Sequence, residues 1–292
     1  MNWLFFFIVC FSGLFSGFCT WLIAPDGNPW NLIDNFQAGL LVTGVFCGLF
    51  TGLVAALPIV IMERKPGKAA AYWISATSIG LSITMLGAVV FVIVVNFVAP
   101  LTQLPSGVIR FFWWMFLSLC LSGCFGILHN SMRIMCRSLM GLTPSFIISG
   151  LFIDRFFLAH NHLLLSFLFL GAMTGFGFAL AWELLKESWL DEEVSLFIVF
   201  RYYIDGPEFL AGAADECDLT LAEGPSHLFL IGEKEGIHIV EALDDEHIVK
   251  INRSALRYRV LVDGDSIAVG GRVFIYHSKF ARTRDVLPEA VA

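Results

Sequence analysis

Long apolar runs with short polar breaks fill the first two thirds of the chain, and the pattern then changes. Six runs are mostly apolar, at roughly 3–23, 37–61, 73–98, 108–129, 139–158 and 163–185. A helix rises about 1.5 Å per residue and the hydrocarbon core of a bilayer is about 30 Å thick, so about 20 apolar residues cross it. The pattern predicts about six transmembrane helices. The fifth run is the weakest, because it contains Pro144 and ends in Asp154-Arg155. Five crossings with one re-entrant segment fit it as well. The first run opens Met-Asn-Trp with no basic residue and no Ala-x-Ala follows it, so it reads as a retained helix, not a cleaved leader.

From Val194 the hydrophobic period becomes two. Strands are expected at 195–203, 218–221, 227–231, 237–240, 247–251, 256–260, 266–269 and 272–276, separated by Gly and Asp turns. Gly-Glu-Lys-Glu-Gly between the third and fourth is a hairpin signal. Short strands at this spacing predict a soluble all-β sandwich without a helix.

Composition sharpens the division. Hydrophobic residues make up 57% and charged residues 15% of the 292, with a mean hydropathy of +0.77. Soluble domains carry about 25% charged residues, so a wholly soluble or disordered chain is excluded. Residues 1–190 hold 8 Lys/Arg and 6 Asp/Glu, whereas 191–292 hold 10 and 19. We divide the chain into a helical membrane domain, 1–188, and a β-sandwich, 189–292. The net charge of −7 argues against nucleic acid as a partner. The basic loops, Glu63-Arg64-Lys65-Pro-Gly-Lys68 and the one with Arg133 and Arg137, are read as cytoplasmic, since 24–30 and 99–107 contain no Lys or Arg. Both termini and the sandwich then lie inside the cell.

Each run also carries small residues at four-residue intervals, such as Gly13 and Gly17, Gly44, Gly48 and Gly52, or Gly171, Gly175 and Ala179. Four residues return to the same helix face, giving a flat stripe for close packing. A small-residue-lined pore is the alternative. Six of the seven cysteines lie in or beside the runs, without metal-ligand spacing, and read as packing residues. Asp154, His160 and His162 read as an interfacial ion pair and two wetted histidines, with a metal site as the minor alternative. No cofactor site or nucleophile–base pair is evident.

The stretch Leu261-Val-Asp-Gly-Asp-Ser-Ile-Ala-Val-Gly-Gly-Arg-Val-Phe-Ile-Tyr276 resembles the closing strands of the forkhead-associated (FHA) domain. Upstream, Gly212 falls where that family has Gly-Arg, Asp218-Leu-Thr-Leu fits the next strand, His227 fits its Ser-x-x-His and Asn252 its Asn-Gly. The resemblance implies a phosphothreonine-peptide module with its site in the loops at one end, so Gly212, His227, Asn252 and Arg253 are the candidate ligand-binding residues. The departures fall at the same positions. Ala213 stands for the phosphate-binding Arg, Gly224 for the Ser and Arg253 for the Gly of Asn-Gly, and 205–246 is strongly acidic. Together with the apolar spans, the resemblance points to a bacterial multipass inner-membrane protein with a C-terminal FHA-like domain. The expected function is a non-catalytic scaffold that docks a cytoplasmic protein without phosphothreonine recognition and self-associates through its helices. A transporter or channel subunit regulated by the sandwich is the alternative.

Overall fold

The structure is a computed structural model that describes residues 3–24, 36–63, 66–102, 105–157, 162–195, 198–204, 206, 208–214, 216–221, 224–234, 237–244, 249–255, 257–269 and 271–279. The chain divides into two compact units, Trp3–Leu184 and Leu185–Ala292.

The first unit holds six helices: α1 Trp3–Ile23, α2 Phe36–Pro58, α3 Pro66–Thr102, α4 Ser106–Leu128, α5 Met132–Phe152 and α6 Leu163–Leu185. All six are long and apolar enough to cross a membrane. Single π turns, Ile59–Glu63 and Ile153–Phe157, extend α2 and α5. The fifth run is a continuous helix despite Pro144, and it starts seven residues before the expected position. Ser131 explains the early start, because its side chain accepts a hydrogen bond from the Ile134 amide at 3.3 Å and caps the helix. Arg137, expected in a loop, therefore lies in the second turn of α5. It is only 3% exposed, and its guanidinium carbon is 5.5 Å from the ring centroid of Trp182 on α6.

The small-residue stripes are packing seams. A Cβ on Gly175 would stand 2.7 Å from the Val9 carbonyl oxygen of α1, and Gly13 and Gly171 meet backbone to backbone in the same seam. Gly80 of α3 approaches the Cys47 carbonyl of α2, and Gly126 of α4 approaches Met135 of α5. Buried hydroxyls in these helices largely bond back to their own backbone. Ser12, Ser16 and Thr20 bond the carbonyls of Ile8, Ser12 and Ser16 at 2.6–2.8 Å, and Thr51, Thr84, Ser122 and Thr174 follow the same rule. Across helices, Ser118 and Thr143 hydroxyls lie 3.0 Å apart. These hydroxyls are hydrogen-bonded within the helical unit, whereas those of Thr77, Ser138 and Ser149 are buried without a partner.

The second unit is a two-sheet β-sandwich. Its strands are β1 Ser188–Ser195, β2 Ile198–Tyr203, β3 Glu208–Gly212, β4 Leu219–Thr220, β5 Phe229–Lys234, β6 Ile237–Ala242, β7 Lys250–Ile251, β8 Ser254–Ala255, β9 Tyr258–Val260, β10 Ser266–Val269 and β11 Arg272–Ser278. One sheet has the order β2-β1-β11-β10-β7-β8 and the other β4-β3-β5-β6-β9. Leu190, Ile251, Ile267, Phe274 and Tyr276 from the first sheet face Phe209, Phe229, Ile231 and Val240 from the second, all at most 3% exposed. No helix occurs among the described residues of this unit. The expected hairpin is present, with Lys234 opposite Ile237; its tip, 235–236, lies outside the described residues.

Three strands depart from the expected pattern, one of them β8, which falls between the strands expected at 247–251 and 256–260. β3 was not anticipated, and the strand expected from 195 is preceded by a separate charged strand, β1. β1 carries Asp191 and Glu192, 9% and 8% exposed, at positions that a soluble linker would also fill. Partners make their burial tolerable. Asp191 lies directly opposite Arg201 on β2, which grips it with Nε–Oδ1 2.6 Å and Nη2–Oδ2 2.7 Å. Glu192 receives Arg272 of β11, with Nε–Oε1 2.6 Å, and the Tyr202 hydroxyl at 3.3 Å.

Candidate functional site

Strand register fixes which loops share an end of the sandwich. Ala211 pairs with Phe229 and Phe229 with Ala242, so β3 ends where β5 begins and β6 ends. β4 runs parallel to β3, with Gly212 opposite Thr220, and β9 starts beside Glu241. The described residues 212–214, 224–228 and 243–244, together with the approach to β9, thus gather at one end, which we call the loop end.

Gly212 and His227 meet there. A Cβ on Gly212 would lie 2.7 Å from the Ser226 carbonyl carbon and 2.8 Å from the His227 Cα, so the position requires glycine for a close backbone approach. The amides of Ala213 and Ala214 donate to Pro225 and Ser226 carbonyls at 2.9 and 3.1 Å, and Leu221 and Leu228 amides close the same weave. Cys217 is buried, with its thiol on the Ser226 carbonyl at 3.3 Å, and Asp218 accepts the Leu210 amide at 2.9 Å. His227 is not enclosed: its side chain is 41% exposed and Nε2 lies 3.2 Å from Glu216 Oε1.

Asn252 and Arg253 lie elsewhere. Ile251 pairs with Ser254, which makes them the two-residue turn between β7 and β8, and both have positive φ, 50° and 69°. This is the signature of a type I′ hairpin, where glycine is favoured at the second place. β7 runs from the loop end toward the other end, so the turn points away from Gly212 and His227. Asn252 is a brace. Its Nδ2 donates to Asp265 Oδ1 at 2.6 Å and its Oδ1 accepts the Ser266 amide at 2.9 Å, while Asp265 holds the Val262 amide. The structure brings together two of the four candidate residues and separates them from the other two.

Among the described residues of the loop end, donors for a phosphate are few, and the approach to β9 brings Arg257 there, its carbonyl accepting the Ala242 amide at 2.8 Å. Gly224, where the resemblance calls for a serine, has φ +129°, a conformation strained for any residue with a side chain. Ala213 supplies no guanidinium. Glu216 occupies the reach of His227, and Asp218 and Asp244 add negative charge; Asp215, Glu223, Asp245 and Glu246 continue the acidic stretch outside the described residues.

Three features had no counterpart in the sequence reading. On the outer face of β1, Trp189 lies between cations, with Lys186 Nζ 4.3 Å and the Arg201 guanidinium 5.1 Å from its ring, while His277 stacks at 5.3 Å. Inside, burial pushes the Tyr202 phenol up to about 12, beside Arg272 and Glu192. The Tyr276 phenol, raised to about 12 by burial, bonds His238 Nδ1 at 2.8 Å. Cross-strand alternation could have found the Asp191–Arg201 pair, since the two residues are ten apart about a tight reversal. Among the described residues no three His, Cys, Asp or Glu side chains gather as a metal site requires; His160 lies outside them and the side chain of Asp154 is not described.

No family model and no curated protein matches the chain. Solved FHA domains are among the structures it is similar to. A structure from work on phosphothreonine-dependent FHA domain interactions shares 14% identity over 31% of this chain and 95% of its own, with a TM-score of 0.28. The FhaA FHA domain complexed with the intracellular domain of Rv3910 matches at 14% over 31% and 99%, with a TM-score of 0.28. Mycobacterium tuberculosis EmbR in complex with a low affinity phosphopeptide matches at 11% over 94% of this chain and 72% of that one, with a TM-score of 0.30.

Proposed function

We propose that the protein is a non-catalytic membrane-anchored adaptor: six helices hold it in a cell membrane, and an FHA-like sandwich on the cytoplasmic side docks a protein partner without recognising phosphothreonine. The observation that carries this reading is the loop end. There the backbone weave around Gly212 persists, while Ala213, Gly224 at φ +129° and the His227–Glu216 pair stand where an anion would need donors. A carboxylate cluster repels a phosphate dianion and favours cationic or neutral partner surfaces. Membrane anchoring is supported by the six apolar helices, and cytoplasmic placement by the Lys/Arg asymmetry of the loops. Transport is disfavoured by hydroxyls that bond their own helices.

Photo-crosslinking in cells tests the docking. With a photoreactive residue at Ser226, we expect a discrete protein adduct that persists in membranes treated with phosphatase before irradiation. An adduct lost on phosphatase treatment contradicts the reading, as does the absence of any protein adduct.

A further inference from the structure

Charge is unevenly spread along the sandwich. Residues 205–246 hold twelve Asp/Glu and one Lys, whereas 247–262 hold Lys250, Arg253, Arg257 and Arg259 and no acid. The fold gathers this basic stretch on one side. β8 is the last strand of one sheet and β9 the last of the other, and only residues 256–257 separate them, so the two edges lie on the same side of the sandwich. The β7–β8 hairpin carries Lys250 and Arg253, both exposed, and Arg259 is half-buried on β9 opposite Val240. The neighbouring acids point elsewhere. Glu241 lies with Tyr258 on the outer side of β6, Asp263 turns to β11 and accepts the Ser278 amide at 3.1 Å, and Asp265 is buried on Asn252.

Arg253 stands at φ 69°, where glycine would be unstrained, yet its turn is braced by the bonds of Asn252 to Asp265 and the Ser266 amide. Strain held in place by its surroundings points to a use for the side chain. The turn lies toward the end of its sheet where β1 begins, since Ile251 pairs with Ile267, Ser266 with Ile275, and Ser278 with Ser188. Only Lys186 and Glu187 separate the end of α6 from Ser188, a reach of about 10 Å.

We propose that the β7–β8–β9 edge, through Lys250, Arg253 and Arg259, rests on anionic lipid headgroups of the membrane that α6 leaves. The inference rests on the membrane-anchored reading above. Charge complementarity selects this occupant. An anionic leaflet favours each nearby Lys or Arg roughly fivefold and repels the carboxylates of 205–246, so one orientation of the sandwich satisfies both. An arginine guanidinium matches a phosphodiester, and Tyr258, 51% exposed on the same edge, is an amphipathic ring suited to headgroup depth.

The test uses the full-length chain in lipid nanodiscs, with a fluorescent amino acid at the exposed Ser254 and a nitroxide-headgroup lipid as quencher. Discs of phosphatidylcholine alone are compared with discs containing about one third phosphatidylglycerol. We expect quenching about twofold stronger in the anionic discs at low salt, and no excess at about 1 M salt, where the screening length is about 3 Å. The triple variant Lys250→Gln, Arg253→Gly, Arg259→Gln should lose the excess with unchanged circular dichroism, and Arg253→Lys should keep it. Equal quenching in the two kinds of disc overturns the proposal, as does an excess that survives the triple substitution. A chain that leaves membranes on carbonate extraction defeats the anchoring reading, and the lipid contact with it. A chain retained in the discs with equal quenching defeats the contact alone.

Discussion

Asp191 and Glu192 show how much a single pair of side chains decides in this sandwich. Each is a nearly buried carboxylate on β1 with an arginine from a neighbouring strand, Arg201 or Arg272. Removing one partner of such a pair strands the other, at a cost of about 3–5 kcal/mol. Asp191→Ala should therefore lower unfolding stability by about 3 kcal/mol in chemical denaturation, and adding Arg201→Met should recover a good part of it. Arg253 gives the opposite case. At φ 69° in a two-residue turn it occupies a place suited to glycine, so Arg253→Gly should raise stability by about 1 kcal/mol, whereas Asn252→Ala, which orphans the Ser266 amide, should lower it by about 2 kcal/mol. The buried phenols set an alkaline limit. Tyr202 and Tyr276 keep their protons to about 12, above the roughly 10 of an unfolded chain. Their stabilising contribution is complete below about pH 10 and is lost as pH rises toward 12. A late tyrosinate absorbance component should accompany that loss and shrink in Tyr202→Phe and Tyr276→Phe. The two carboxylate–arginine pairs did not stand out in the sequence, because a charged strand and an exposed loop have the same composition until their pairing is known.

At the scale of elements, the apolar runs were plain because a span must be long and nearly uniform to satisfy its backbone in lipid. The ends were less plain. The start of α5 depends on the Ser131 cap, which carried Arg133 and Arg137 from an expected loop into a helix. β3 and β1 were missed for different reasons. β3 is a five-residue strand with no polar alternation, and the alternation of β1 is masked by its acids. The small-residue stripes were legible, and their close backbone approaches identify them as seams. Substitution should sort the glycines accordingly. Gly171→Leu, pressed against Gly13, should destabilise the bundle and lower the yield of folded protein in detergent. Gly67→Ala should be neutral, because nothing stands within 4 Å of the added carbon. Size-exclusion profiles in detergent, with helicity by circular dichroism, read the difference.

Across the whole molecule, the change from long apolar runs to short alternating strands is matched by six apolar helices followed by two packed sheets. The candidate site was only half legible. Gly212 and His227 are neighbours through a backbone approach, and the glycine there is required by it. Asn252 resembled a binding residue because a hairpin asparagine and a ligand-binding asparagine look alike in one dimension. Only the register shows that its turn faces the other end of the sandwich. The charge of the acidic loops was visible in the sequence, and the backbone of Gly224 adds the reason a serine does not belong there. The proposed function therefore rests on the acidic composition of the loop end and on the geometry around Gly212, Gly224 and His227. The direct measurement is calorimetric titration of the full-length chain in lipid nanodiscs with a phosphothreonine peptide library and its unphosphorylated twin. We predict no heat that depends on the phosphate. Phosphate-dependent binding with a micromolar Kd would contradict the account and return Gly212 and His227 to a phosphopeptide site.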